Sequence, residues 1–121
     1  MFVAMKILVV EDSDKRIEWF LHEFSDHEVT IAKNVLEGKK RVIASKYDLI
    51  FLDHDLGEKV FMSSQEENTG YQVAKAIRES INSHTRVVIH SWNLAGANNI
   101  SSILRHAKCQ MFGLFNRSIL R

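Results

Sequence analysis

Three stretches of the chain are apolar at every consecutive position: Ile7-Leu8-Val9-Val10, Leu49-Ile50-Phe51-Leu52 and Val87-Val88-Ile89. Unbroken runs of this length fit strands buried on both faces, as in a parallel sheet covered by helices. With their flanking residues they predict strands over 6–11, 48–52 and 86–90. A shorter and more polar run over 27–32 reads as a strand nearer an edge, and 109–115 as a last strand with Gly113 inside it.

The segments between these runs change period. Ile17, Phe20, Leu21 and Phe24 fall at i, i+3, i+4 and i+7, one apolar helix face, with Ser13 or Asp12 as its cap. Asn34 and Glu37 have the spacing of a capping box, ahead of Val35, Leu36, Val42 and Ile43, which are predicted to face the sheet. Gly38 weakens that helix by about 1 kcal/mol relative to alanine. Thr69 and Gln72 repeat the capping spacing before Val73, Ala74, Ile77 and Ile81. Asn93 caps a fourth helix with Ile100, Ile103, Leu104 and Ala107 on one side. Strands alternating with helices imply parallel pairing through right-handed crossovers. The prediction is an α/β fold, one domain over 1–121, with a doubly wound five-stranded parallel sheet in the flavodoxin-like order 2-1-3-4-5. The connection 58–68, carrying Phe61 and Met62, is long for its type and reads equally as a lid over a site or as a surface excursion.

Composition adds exclusions. A chain of 121 residues suits a single core, and 45% hydrophobic content is too high for disorder. Sixteen basic against fifteen acidic side chains, net +1, give no bulk-charge case for nucleic acid or an anionic membrane. The lone Cys109 cannot form an internal disulfide, which points to a reducing interior. No apolar stretch approaches the roughly 20 residues of a spanning helix, and the first residues lack signal-peptide features, so a cytoplasmic location is expected.

The candidate chemistry lies where the apolar runs stop: at Glu11-Asp12, at Asp53-His54-Asp55 and at His90-Ser91. In open α/β sheets ligands sit beyond the carboxyl ends of the strands, at the switch point between strands one and three. Glu11, Asp12 and Asp53 are predicted to meet there. Three adjacent carboxylates repel unless a cation lies among them. Oxygen ligands suit Mg²⁺, with Mn²⁺ as the alternative, and such a site recruits phosphate oxygens. This reading requires room for the cation between the acidic groups; the plainer reading has Glu11 and Asp12 capping the first helix. Ser91 can donate to a phosphoryl oxygen or serve a turn. His54 and His90 can act as general acid, base or metal ligand, or be hydrogen-bonded strand-end residues. His22, His27, His84 and His106 read as surface residues.

These residues resemble the receiver domain of two-component response regulators over nearly the whole chain. MKILVVEDS is similar to the receiver opening, whose acidic pair holds Mg²⁺, here Glu11 and Asp12. YDLIFLDHDLG resembles the phosphoacceptor strand, which implies Asp53 as the phosphorylated aspartate, and VVIHS resembles the strand ending in the switch Ser/Thr, here Ser91. Receivers also carry a lysine at the end of strand five; this chain reads Cys109-Gln110-Met111-Phe112-Gly113-Leu114-Phe115 there, with Lys108 ahead of the strand. The set LDHDLG, TGY and IHSWN is more similar to the divergent cyclic-phosphate-processing receiver group (cREC), through His54, His90, Ser91 and Asn93. That resemblance implies a metal-dependent phosphoesterase for a cyclic-phosphate small molecule, with Asp53, His54, His90 and Ser91 catalytic and Glu11, Asp12 and Asp53 at the metal. The alternatives are a stand-alone receiver phosphorylated on Asp53 by a histidine kinase or phosphotransfer protein, and a pseudo-receiver kept for protein binding.

Overall fold

The computed structural model describes residues 2–56 and 69–110. The 58–68 connection and the part of the expected last strand beyond Gln110 lie outside the described residues. The elements run β1 (Lys6–Val10), α1 (Asp14–Glu23), β2 (Glu28–Ala32), α2 (Val35–Ala44), β3 (Leu49–Leu52), α3 (Gly70–Arg78), β4 (Arg86–Ile89), α4 (Leu94–Ile103) and β5 (Lys108–Cys109). All pairings are parallel and the strand order is β2-β1-β3-β4-β5, as the alternation of runs and stripes predicts. Among the described residues no helix is long and apolar enough to cross a membrane.

The unbroken apolar runs are explained by a sheet covered on both sides. Leu8, Val10, Ile50, Leu52, Val87 and Ile89 point toward α2, α3 and α4, meeting Val35, Val42, Val73, Ile77, Ala97 and Ile100. The alternate residues Ile7, Val9, Leu49, Phe51 and Val88 point the other way, onto Phe20 and Phe24 of α1. Burial narrows the helix faces that spacing alone predicts. Leu36, Ile43 and Ile81 are exposed, and the buried line of α2 is Val35, Gly38 and Val42.

The expected caps hold at three helices: Ser13 Oγ accepts from Arg16 N, Asn34 Oδ1 from Glu37 N, and Asn93 Oδ1 from Gly96 N. The capping box at Thr69 is corrected, because its side chain makes no cap bond and Gln72 N donates instead to the Thr69 carbonyl. Lys108 is also corrected: it is the first residue of β5, exposed and opposite Val88. His27 departs from its surface assignment, with a side chain only 4% exposed and Nδ1 accepting from Met5 N at 2.8 Å.

At the end of the sheet away from the acidic groups, Asn82 is fully buried and ties three elements together. It accepts from Tyr47 N at 2.8 Å and donates to the carbonyls of Val42 and Ser45, both at 2.7 Å. Asn82→Ala leaves those backbone groups buried without partners. It is expected to cost about 2 kcal/mol in urea denaturation.

Candidate functional site

Strand register decides which side chains meet. Val10 stands opposite Leu52, and Leu52 opposite Ile89. The ladder continues for one more rung: Asp53 N donates to Val10 O and His90 N to Leu52 O, both at 3.1 Å, while Glu11 N donates to Ala32 O at 3.0 Å. Glu11, Asp53 and His90 therefore occupy equivalent places, one step past the last apolar rung. Each lies two residues beyond Val9, Phe51 or Val88, so each continues the face that looks onto α1. The His90 ring follows this rule, 5.3 Å from the ring of Phe20 and 6.4 Å from that of Phe51.

The donors that converge among the described residues are one carboxylate oxygen each of Glu11 and Asp53 and one ring nitrogen of His90, all within 4.8 Å of one another. All three residues are buried. Two predicted carboxylates are thus in the group, and an imidazole joins them. Asp12 is not a member, but it is near enough for its charge to act on both Asp53 and Arg16.

The space between the carboxylates is not left open. Arg16, one turn into α1, places Nε 2.6 Å from Glu11 Oε1 and Nη2 2.9 Å from Glu11 Oε2. The same Nη2 lies 3.6 Å from Asp53 Oδ2. Glu11 also accepts from the backbone N–H groups of Asp12 and Ser13, at 2.9 and 3.1 Å, and from His90 Nε2 at 3.0 Å. Burial by itself would raise the Glu11 pKa; the bonds from His90, Arg16 and Ser13 outweigh it and hold the carboxyl far below the usual range. Asp53 goes the other way. Burial, followed by the charge of Glu11, pushes it well above its ordinary value, with Arg16 opposing and Asp12 and Asp55 adding to the rise. One guanidinium therefore satisfies Glu11 and leaves Asp53 short of positive charge.

That imbalance is the test of whether a metal suits the residues. Two carboxylates and an imidazole are donors that can hold a divalent ion. The expected room for a cation is not there, because the Arg16 salt bridge takes it, so the donor types fit such an ion only where Arg16 gives way.

His54 and Ser91 lie one residue further along and belong to a second cluster. His54 is fully buried, and its Nδ1 is 2.7 Å from Asp55 Oδ1, the ring nitrogen donating. Asn93 Nδ2 donates to the same carboxylate oxygen at 3.1 Å, and Asn93 N donates to Ser91 Oγ at 3.0 Å. The ring lies against the first turn of α4, where a Cβ on Gly96 would stand 2.4 Å from His54 Cγ. The two histidines expected at one centre are thus divided: His90 is beside Glu11, and His54 is held by Asp55 and Asn93. Trp92, between Ser91 and Asn93, is 54% exposed at this rim.

The start of α3 closes the site from below. Gly70 N donates to His54 O at 2.7 Å, and Asp55 forms an isolated antiparallel bridge with Thr69. A Cβ on Gly70 would lie 1.9 Å from the Asp53 carbonyl oxygen, so only glycine lets the helix begin this close to the strand end.

Sequence reading misses Arg16, and it names Asp55 at the strand end without giving it a role. Arg16 shares a helical turn with the Ser13 cap, five positions after Glu11, and a basic residue on an exposed helix face is an ordinary sight. The signal available was its place: a cation in the first turn after an acidic strand end, where the helix dipole favours an anion.

A parallel sheet in the order 2-1-3-4-5, with acidic groups gathered past the ends of β1 and β3, defines a receiver-type α/β domain. The chain belongs to the cyclic-phosphate processing receiver domain family, whose model matches residues 6–106. No curated protein sequence matches it significantly. Among solved structures it is similar to the chemotaxis protein CheY4 of Vibrio cholerae, with a TM-score of 0.74 and 20% identity over 98% of this chain and 93% of that one. The phosphorylated cyanobacterial phytochrome response regulator RcpA gives a TM-score of 0.71 and 23% identity, covering 98% of this chain and 86% of that one. The receiver domain of a sensor histidine kinase from Pseudomonas aeruginosa, with magnesium coordinated in its active-site cleft, gives 0.71 and 20% over 98% of this chain and 92% of that one. At these identities the likeness is one of fold.

Proposed function

We propose that the chain hydrolyses a cyclic phosphodiester at a divalent-metal centre held by Glu11, Asp53 and His90, with Asp12 adding negative charge beside it. The observation that carries this reading is the convergence of two buried carboxylates and an imidazole within 4.8 Å, at the strand ends where α/β sheets take their ligands. Bound there, the ion would polarise phosphoryl oxygens and lower the cost of charge build-up on them.

The chain's own residues supply the rest. The Asp53 carboxylate, poorly neutralised by Arg16, either attacks phosphorus or takes the proton of the attacking water. The Ser91 hydroxyl accepts from Asn93 N, which leaves its own hydrogen to donate to a phosphoryl oxygen. By the water route the proton taken up by Asp53 passes to the departing ester oxygen, while His54, buried and bound to the Asp55 carboxylate, holds the turn past β3 in place. By the water route one P–O bond forms to water and one ring P–O bond breaks; by the nucleophile route the ring P–O bond breaks as Asp53 takes the phosphoryl group, and water then cleaves that aspartyl ester, both leaving a monoester and a free hydroxyl. Incubation with a panel of 2′,3′-cyclic nucleotides and Mg²⁺ or Mn²⁺ tests this. Metal-dependent ring opening is the expected result, and no turnover in any member of the panel sinks the hydrolase.

Two other readings rest on specific observations. Asp53 is buried to 5% exposure just past the end of β3, and Ser91 is buried two residues past the end of β4, which suits phosphorylation by a histidine kinase or phosphotransfer protein and readout through Ser91. Acetyl phosphate or beryllofluoride would then produce an Asp53-dependent mass or spectral change. The Arg16–Glu11 pair favours a pseudo-receiver used for protein contact, a reading that requires no divalent-metal binding in calorimetry.

A further inference from the structure

The geometry points to Arg16 as a displaceable internal cation: it occupies the metal's place between Glu11 and Asp53 and, once an ion enters, turns to grip the phosphoryl group of the ligand. The inference rests on reading Glu11, Asp53 and His90 as a metal site, and it assigns to that site a coupling between metal and phosphate.

Burial supports it first. The Arg16 side chain is 33% exposed, whereas those of Glu11 and Asp53 are 0% and 7% exposed. Arg16 is therefore far more exposed than either carboxylate it touches. Its backbone is fixed, because Arg16 N donates to the Ser13 cap at 3.4 Å, but the stem between backbone and guanidinium keeps several rotatable bonds. The head can withdraw without any change in α1.

Charge supplies the reason to withdraw. A divalent ion on Glu11 and Asp53 would compete with Arg16 for Glu11, whose oxygens Nε and Nη2 now hold at 2.6 and 2.9 Å, and for Asp53 Oδ2, 3.6 Å from Nη2, and it would repel the guanidinium. The displaced fork remains tethered within one side-chain length of the ion. An arriving phosphoryl group presents paired oxygens there, the geometry a guanidinium binds in bidentate fashion. Arg16 thus opposes the metal while the site lacks phosphate and favours it when phosphate is bound. By thermodynamic reciprocity the metal raises phosphate affinity by the same factor.

Calorimetric titration of Mn²⁺ into the wild type and Arg16→Met, each with and without saturating methylphosphonate, tests the exchange. In the wild type, methylphosphonate is expected to tighten Mn²⁺ binding about 10-fold, within the usual range of coupling between two ligands. In Arg16→Met, Mn²⁺ alone should bind at least about 5-fold more tightly than in the wild type, and the methylphosphonate effect should shrink to about 2-fold or less. Arg16→Lys keeps the charge without the fork and is expected to fall between them; it carries the test if the Met variant does not give a native circular dichroism spectrum. Equal Mn²⁺ affinity and undiminished coupling in the variants overturn the role of Arg16 and leave the metal site standing. Weaker Mn²⁺ binding in Arg16→Met also overturns it, since Arg16 would then be a support and not a competitor. No Mn²⁺ binding by any of the proteins removes the metal site itself.

Discussion

Gly70→Ala is expected to destabilise the fold by more than about 3 kcal/mol and to disorganise the site as it does so. The added methyl would lie 1.9 Å from the Asp53 carbonyl oxygen and 2.9 Å from its carbon, so it meets backbone and not a side chain that could swing aside. Relief requires α3 to lift from the end of β3. That lift breaks the bond from Gly70 N to His54 O and pulls on the Asp55–Thr69 bridge. The Val73, Ala74 and Ile77 side chains, all fully buried, would lose part of their packing with it. Urea or thermal denaturation measures the cost. A loss below about 1 kcal/mol would mean that the helix start and the strand end are less tightly joined than described, since the strain of such overpacking usually exceeds that value.

Asp53→Asn is expected to abolish turnover and raise stability together. Loss of the carboxylate removes a proposed metal ligand and the candidate nucleophile, so the proposed hydrolysis should fall by at least about 1,000-fold. The amide keeps the shape but not the charge, which in the wild type is buried and opposed by Glu11, Asp12 and Asp55. A gain of about 1 kcal/mol, a few degrees in melting temperature, is the expected size. The pH dependence follows from the direction of the shift. A carboxyl whose pKa is raised on folding contributes stability below its unfolded value, near 3.9, and loses it as pH climbs through the folded value. The variant should therefore surpass the wild type at pH 7, and the two should converge as pH falls to about 4 and below. Glu11 has the opposite sign: its depressed pKa contributes stability above the unfolded value, lost progressively as pH falls below it. A variant less stable than the wild type at pH 7 would show that Arg16 already balances Asp53.

The fold was legible because its strongest signals are local. Runs such as Ile7-Leu8-Val9-Val10 have no polar position to offer water, and the caps Ser13, Asn34 and Asn93 precede apolar stripes at helical spacing. The buried arc of each helix was harder to read. Leu36 and Ile43 are as apolar as Val35 and Val42, but the buried line of α2 runs through Gly38, which a count of hydrophobic residues passes over. At the site, strand ends identified Glu11 and Asp53. They did not say which of two chain neighbours would join them, because that depends on pleat and register, fixed by pairings such as Leu52 with Ile89. Arg16 was illegible for a different reason. Its contacts with Glu11 and Asp53 come from a helix folding back over the sheet, and neither spacing nor charge count reports that.

The alternation that sends His90 toward α1 and His54 toward α4 has an evolutionary corollary. The cluster of Glu11, Asp53 and His90 occupies one storey of the molecule and the contacts of His54 another, with the sheet as the floor between them. Substitutions around Gly96 or Asn93 would act on the His54 storey while the acidic cluster stays untouched. A lineage built on this plan could vary one storey without rebuilding the other.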